Sequence, residues 1–463
     1  MEGRLPPDDD DLFEWTDAPA RPPRREREPE TREPEGPETG ETERPATGER
    51  DRVGTGERRR VGRRPDTAER RRVRGDTGEF ERSGRRPPPG RRTRRRDLPA
   101  RVRRRQDLLV GGAAAAVIVL LVVAISSGGG GDDGEAAIGV KRLVGQSIVA
   151  RLGGKGPNEE LIRRVRQGRV GGVIVFSRNA QKVQNDVRTL QGAAEDGDNP
   201  PLLVMIDQEG GGVKRLPQGP PTLSPAQLGE SDEEDQARDQ GEQTGSFLRG
   251  LGINVDLAPV LDVAQPTAAE TIRSRTFSSD PDVVTRVGVS FAEGLQEAGV
   301  VATPKHFPGL GRATVNTDDR PVDIVATSAE LQSDLEPFRG AVEAGVDMMM
   351  VSNASYPTLG AERQAVFSPA IVRGMLRDQL GFDGVVITDD LEAEAVTADT
   401  APADAAASAL RAGNDMLLYA TSDEASDQAF WTLVRAVKGG NLDRSVVQQA
   451  YDRITSLKAT PTE

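Results

Sequence analysis

Between positions 143 and 418 the chain repeats one pattern eight times: a short apolar run of strand length, then a longer stretch whose apolar side chains have helical spacing. The runs fall at 143–150, 172–176, 202–206, 253–257, 300–303, 347–351, 385–388 and 415–418. Strand and helix in strict alternation predict a parallel α/β architecture, because a parallel neighbour is reached only through a crossover, usually a helix. Eight repeats in about 320 residues suit a (β/α)8 barrel of the TIM type, with a doubly wound open sheet as the alternative. Several runs end in polar residues: Ser177, Arg178 and Asn179; Asp207; Asp256; Lys305 and His306; Ser352 and Asn353; Asp389 and Asp390. In a barrel these carboxyl ends surround a single mouth, so residues distant in sequence are expected to converge there.

The 463 residues are uneven in composition. About 30 of the 61 Lys and Arg precede Leu108, all of them Arg, so the net charge of -13 hides a basic front and an acidic remainder. Residues 1–107 are mostly Arg, Glu, Pro, Gly and Thr, with a Thr-Gly-Glu element recurring at Thr39, Thr47, Thr55 and Thr77. Such a segment buries too little surface to offset its ordering entropy, which predicts a disordered tail. It ends in the basic block RRTRRRDLPARVRRRQ (91–106) and runs into LLVGGAAAAVIVLLVVAIS (108–126), which carries no charge. That run is long enough for a bilayer core and predicts a single transmembrane helix over 108–127. The Arg block on one side, with Asp132, Asp133 and Glu135 on the other, sets the direction. The expectation is a cell-membrane protein with a cytoplasmic amino terminus, a Gly-rich tether at 128–137 and an extracytoplasmic barrel domain at 138–460. The juxtamembrane arginines are expected to attract anionic lipid, and without interleaved aromatics they give no reason to expect nucleic acid.

There is no Cys and one His. This excludes a thiol nucleophile and a Cys-ligated metal, and a zinc site would have to lean on carboxylates, so no metal site is expected. The single histidine falls in the densest segment of the chain, VATPKHFPGLGRATVNTDDRP (301–321), which starts as a buried strand and then breaks at Pro304, Pro308, Gly309 and Gly311. That is a strand feeding a loop, with Lys305 and His306 at the junction. An isolated Lys-His pair would read as a solvated loop; the longer pattern points elsewhere.

KHFPGLG, followed by a short polar loop and a proline, resembles the barrel domain of glycoside hydrolase family 3, in particular the single-domain bacterial β-N-acetylglucosaminidases. Three further segments match in order: IDQEGGGVKRL (206–216) resembles the family's DQEGGRVxRL, IRSRTF (272–277) its GxRSF-like segment, and GFDGVVITDDLE (381–392) its GFxGVxxSDDL. The resemblance implies a barrel fold and glycosidase activity on a carbohydrate substrate, expected here to be β-linked N-acetylhexosamine of wall glycans. Family members use a carboxylate as covalent nucleophile, a role the resemblance gives to Asp389, with Asp390 beside it as a helix cap. Asp207, Arg215, Arg275, Lys305 and His306 match residues that hold the sugar. Double-displacement hydrolysis needs only water and side chains, so no cofactor is expected.

The chain departs from the family in the loop after Lys305 and His306. Where relatives carry a DSH-like triplet, whose His is the acid/base and whose Asp orients it, this sequence reads Asn316, Thr317 and Asp318. The loop's GHGD histidine and aspartate are Leu310 and Arg312 here. A carboxyl group can serve as a general acid, which makes Asp318, or Asp319 beside it, the candidate replacement. Three readings stay open at this level: a hydrolase with a relocated acid, a slow hydrolase, and a non-catalytic glycan-binding envelope protein. Gln208, Glu209, Asp262 and Glu293 receive no role from the sequence.

Overall fold

The computed structural model describes residues 138–459. The predicted tail, membrane helix and tether lie outside them, and among the described residues no helix is long and apolar enough to cross a membrane. Eight parallel strands form the body: β1 Ile148–Leu152, β2 Gly172–Val175, β3 Leu203–Ile206, β4 Val255–Asp256, β5 Val301–Ala302, β6 Met348–Val351, β7 Val385–Thr388 and β8 Leu417–Leu418. Six of them pair in the order β8-β1-β2-β3-β4-β5, and β6 pairs with β7. Two bridges complete the ring. Phe307 pairs with Val351 beyond the end of β5, and Ile387 of β7 pairs with Met416 just before β8. Because β8 also pairs with β1, the sheet is a closed barrel and the open-sheet alternative falls.

Alternation along each strand decides what faces inward. Val149, Ile174, Leu203, Met205, Val255, Met350 and Ile387 belong to the inner cluster, while Ala150, Val173, Val204, Ile206 and Val386 pack outward against the helices. The same period carries the inward face on to Arg151, Phe176, Asp207 and Asp389 at the carboxyl ends. The opposite end is closed by the carboxy-terminal helix Arg444–Ala459, whose Ile454 joins the inner cluster. Lys458 of that helix donates to Gln146 Oε1 at 2.6 Å and to the Gly171 carbonyl at 2.8 Å. Arg453 reaches the buried Asp415 at 3.0 Å.

The first predicted strand is corrected. Val140–Gln146 is a short helix, and β1 begins only at Ile148. Leu143 and Val144 are buried on that helix, so their apolar character does not distinguish it from a strand. Gly145 is needed there because a Cβ would stand 1.9 Å from the Gly168 carbonyl oxygen. Asn179, expected at the mouth, instead caps the helix Ala180–Asp196 by accepting from the Lys182 amide at 3.0 Å.

Candidate active site

Asp207 leaves β3 on the inward face. The chain then turns back on itself, Gln208–Gly210 pairing antiparallel with Val213–Lys214. The buried Gln208 fixes this turn: its amide donates to Leu216 and Pro220 carbonyls at 3.0 and 2.7 Å, and its Oε1 accepts from Leu216 N at 3.0 Å. Arg215 is thereby returned to Asp207, donating through Nη2 to Oδ2 at 3.1 Å. On the other side Lys305 Nζ lies 3.0 Å from Asp207 Oδ1 and 2.6 Å from Glu209 Oε1. Glu209 in turn receives Arg275 in a bidentate pair at 2.9 and 2.7 Å. The result is a chain of alternating charge, Arg215–Asp207–Lys305–Glu209–Arg275, drawn from three distant segments. Burial alone would raise both carboxyl pKa values. Lys305, with Arg275 beside Glu209 and Arg215 beside Asp207, outweighs it and holds both below the usual carboxylate range. Three cations against two anions leave the cluster a surplus of positive charge.

His306 is oriented by a fully buried carboxylate. Asp262 Oδ2 lies 2.7 Å from His306 Nδ1, and Asp262 Oδ1 accepts from the backbone of His306 at 3.2 Å and of Leu310 at 2.6 Å. Asp262 thus fixes both the imidazole and the start of the loop, leaving Nε2 as the free ring nitrogen. The loop runs tight against its neighbour: a Cβ at Gly311 would stand 2.1 Å from the Val263 carbonyl oxygen. Arg312 points out of the loop toward the helix Ser328–Glu343, donating to Asp334 at 2.6 Å and Glu330 at 3.0 Å, so its charge is already matched.

Asp389, at the end of β7, is half-buried. Burial raises its pKa and nearby Asp318 adds to the rise, while His306 and Lys305 oppose it. Asp389 Oδ1 accepts from the amide of Asp390 at 2.8 Å. Asp390 is not a helix cap; it braces two loops, its Oδ1 accepting from Glu392 N at 3.0 Å and Ala420 N at 3.2 Å. Burial pushes its carboxyl up to about 7. The loop Asn316–Thr317–Asp318 is pinned onto the segment after β7, because Thr317 and Asp318 carbonyls accept from Ala395 N at 3.0 Å and Glu394 N at 3.2 Å. Within it Asn316 Nδ2 donates to Asp318 Oδ2 at 2.9 Å.

One cavity of about 600 Å³ joins these groups: Asp207, Arg215, Arg275, Lys305, His306, Asp318 and Asp389 all line it. The carboxylate of the seventh strand and the lysine and histidine of the fifth therefore face a single hollow, with carbohydrate-sized room and an apolar part formed by Ile174, Leu257, Met350 and Leu418.

Residues 140–457 match the family model described as the glycosyl hydrolase family 3 N terminal domain. The chain belongs to glycoside hydrolase family 3. It is a glycosidase in the neighbourhood of the bacterial β-hexosaminidases. This family 3 chain is 34% identical over 333 residues to an uncharacterized secreted glycosyl hydrolase of Arthroderma benhamiae, covering 70% of the chain and 94% of that protein. To the β-hexosaminidase LpqI of Mycobacterium tuberculosis it is 33% identical over 301 residues, covering 62% of this chain and 76% of the other. Among solved structures, the family 3 β-N-acetylglucosaminidase of Paenibacillus sp. FPU-7 superposes with a TM-score of 0.67 at 33% identity, over 70% of this chain and 62% of that one. The β-N-acetylhexosaminidase of Beutenbergia cavernae superposes with a TM-score of 0.65 at 30% identity, over 70% of this chain and all (100%) of that one.

Beyond the sequence-predicted residues, the family 3 site uses Glu209 and Asp262, to which the sequence assigned nothing. A signal existed for Asp262, a lone carboxylate inside the apolar run APVLDV. Glu209 looked like part of a glycine turn, and its partner Arg275 is 66 residues away. Asp256, expected at the mouth, does not line the cavity. It faces away from the interior because its neighbours Val255 and Leu257 face in.

Asp256 is fully buried, accepts from Gln208 N at 3.0 Å through Oδ1, and has no hydrogen-bond partner on Oδ2. Burial pushes its pKa up to about 8 from 3.8. Between those values the unfolded chain releases a proton that the folded chain keeps, so this residue costs stability as pH rises from 4 to 8. Asp256→Asn removes the titration and keeps the acceptor. It is expected to stabilise the protein at pH 7 by on the order of a few kcal/mol, at about 1.4 kcal/mol per pKa unit, with the gain fading near pH 4. Urea midpoints of both proteins across that range measure it; an equal or lower midpoint for the variant at pH 7 would refute it.

Proposed function

We propose that this family 3 glycosidase hydrolyses β-N-acetylhexosaminides by a retaining double displacement. The observation that carries the reading is the shared cavity, in which a strand-end carboxylate, Asp389, faces the group of cations and acceptors suited to sugar hydroxyls. Asp207 and His306 Nε2 accept hydroxyl hydrogen bonds; Lys305, Arg215 and Arg275 supply donors. Asp389 attacks the anomeric carbon and becomes a glycosyl ester, and water then releases the sugar. Asp318 protonates the leaving oxygen and afterwards takes the proton from water. Asn316 is the group that positions it, as its amide donates to Asp318 Oδ2, and both residues line the cavity. His306 is not the acid/base in this scheme: its Nδ1 is committed to Asp262, and it lines the same cavity as Asp389.

The reading extends to location. The apolar run at 108–127 would anchor the protein in the cell membrane with the barrel outside, within reach of wall glycans, while the preceding arginines lie against anionic lipid. Partition of the full chain into the membrane fraction, lost when 108–127 is deleted, is the expected result.

Release of a chromogenic β-N-acetylglucosaminide by wild type, Asp389→Asn and Asp318→Asn tests the chemistry. Asp318→Asn is expected to lower kcat by about 10² to 10⁴, and by less with leaving groups that need no protonation. Wild-type release no greater than that of Asp389→Asn would leave a glycan-binding protein in place of a hydrolase.

A further inference from the structure

We infer that Asn353 is a positioning residue for the reaction: from just beyond the end of β6 it fixes Asp390, so that the Asp390 amide stays on Oδ1 of Asp389. The inference rests on the reading of Asp389 as nucleophile and adds the group that keeps that carboxylate in attacking geometry.

Asn353, expected at the mouth, is fully buried and does not line the cavity. Its Nδ2 instead donates to the Asp390 carbonyl at 2.7 Å. The Asp390 amide, on the other side of the same Cα, donates to Asp389 Oδ1 at 2.8 Å. Asn353 thus reaches the nucleophile through one residue and without touching substrate. The peptide that joins Asp390 to Leu391 is held between two strands: Asn353 takes its carbonyl from the β6 side, and the Leu391 amide donates to the Leu418 carbonyl of β8 at 3.0 Å. The Asp389 amide is tied to β6 as well, donating to the Val351 carbonyl at 3.0 Å. Asn353 has a fixed base of its own, since Ser352 N donates to the Phe307 carbonyl at 2.9 Å and Ala354 N to Ser352 Oγ at 3.0 Å.

The other end of the side chain argues against a role in stability alone. Oδ1 is buried and has no hydrogen-bond partner among the described residues, and an unpaired buried acceptor costs folding free energy. Turning the amide end for end would set two oxygens 2.7 Å apart, so the Asp390 carbonyl dictates its orientation. That carbonyl has a second, longer donor, Ala393 N at 3.2 Å, which closes the turn after β7 on itself and does not tie it to the barrel. A leucine of similar shape at 353 removes the tie and the unpaired acceptor and leaves the carbonyl with Ala393. The fold is kept while the aim of the Asp390 amide is lost. A hydrogen bond to a carboxylate favours its ionised form, and this amide holds the Asp389 pKa down against burial.

Asn353→Leu tests this, with Asn353→Ala as a second variant that lacks the donor. In both, kcat per folded enzyme on a β-N-acetylglucosaminide is expected to fall by about 10- to 100-fold. KM stays near the wild-type value, because Asp207, Arg215, Arg275 and Lys305 are untouched. The acid limb of kcat/KM moves to higher pH, since Asp389 loses a bond that favours its ionised form. A purely structural role would lower the urea midpoint and the folded fraction and leave that limb in place. An unmoved limb, or an unchanged kcat, in a folded variant overturns the inference. If the wild type turns over no substrate, the hydrolase reading fails separately. The positioning is then read from a carbon NMR titration of the Asp389 carboxyl, identified by its loss in Asp389→Asn. A higher pKa in Asn353→Leu than in wild type upholds the inference, and an equal one overturns it.

Discussion

Asp389→Asn is expected to lower kcat on a β-N-acetylglucosaminide by on the order of 10⁴-fold or more, the scale on which covalent enzymes lose activity with their nucleophile. The amide keeps the shape of the carboxylate and its acceptor for the Asp390 amide, so the strand end and the cavity stay as they are. What disappears is the electron pair that bonds to the anomeric carbon. In the wild type that group works only when ionised, and burial raises its pKa above 3.8. The sign follows: kcat/KM falls as pH drops through this raised value, and Asp389 supplies the acid limb. Retention of more than a tenth of wild-type kcat by the variant would remove Asp389 from the reaction.

Glu209→Gln is expected to cost about 3 to 5 kcal/mol of stability at pH 7, the range for breaking a buried ion pair from one side. Glu209 is 1% exposed in its side chain and is the only carboxylate between Arg275 and Lys305 in the charged chain. Glutamine would leave two buried cations facing an amide. Because the folded state holds Glu209 below its unfolded value of 4.5, the wild type has this stabilisation in full above pH 4.5 and loses it as pH falls. The gap between the two proteins should therefore narrow in acid. KM should rise as well, since Lys305 and Arg275 lose the group that orients them toward substrate. Urea unfolding at pH 7 and at pH 3.5 measures both parts; a loss under 1 kcal/mol at pH 7 would mean the cluster is not held by charge.

The barrel was legible because burial on both faces leaves near-continuous apolar runs, and seven of the eight predicted strands lie within about three residues of those observed. The exception, 143–150, was misread at its start because Leu143 and Val144 are equally at home on a buried helix face. The site was legible where a residue leaves a strand on the inward face, as Asp207 and Asp389 do. It was misread at Asp256, where strand-end position was trusted over the alternation that turns it outward. Glu209 and Asp262 were out of reach for a different reason: their roles are defined by partners, Arg275 and His306, that only barrel closure brings close. The loop reading stands between these cases. Asn316 and Asp318 were recognisable as a departure from the family pattern, but the pairing of Arg312 with Asp334 and Glu330, and the pinning of the loop onto Glu394 and Ala395, needed the fold.

The central claim is that Asp389 becomes covalently bonded to the sugar. An N-acetylglucosaminyl donor with a good leaving group and a ring fluorine at C5, which slows hydrolysis of the ester, should add one glycosyl unit to the intact mass of the wild type. Peptide fragmentation should place it on Asp389, with no label on Asp389→Asn. A label on any other carboxyl group, or turnover with an inverted first product and no trapped ester, would contradict the account.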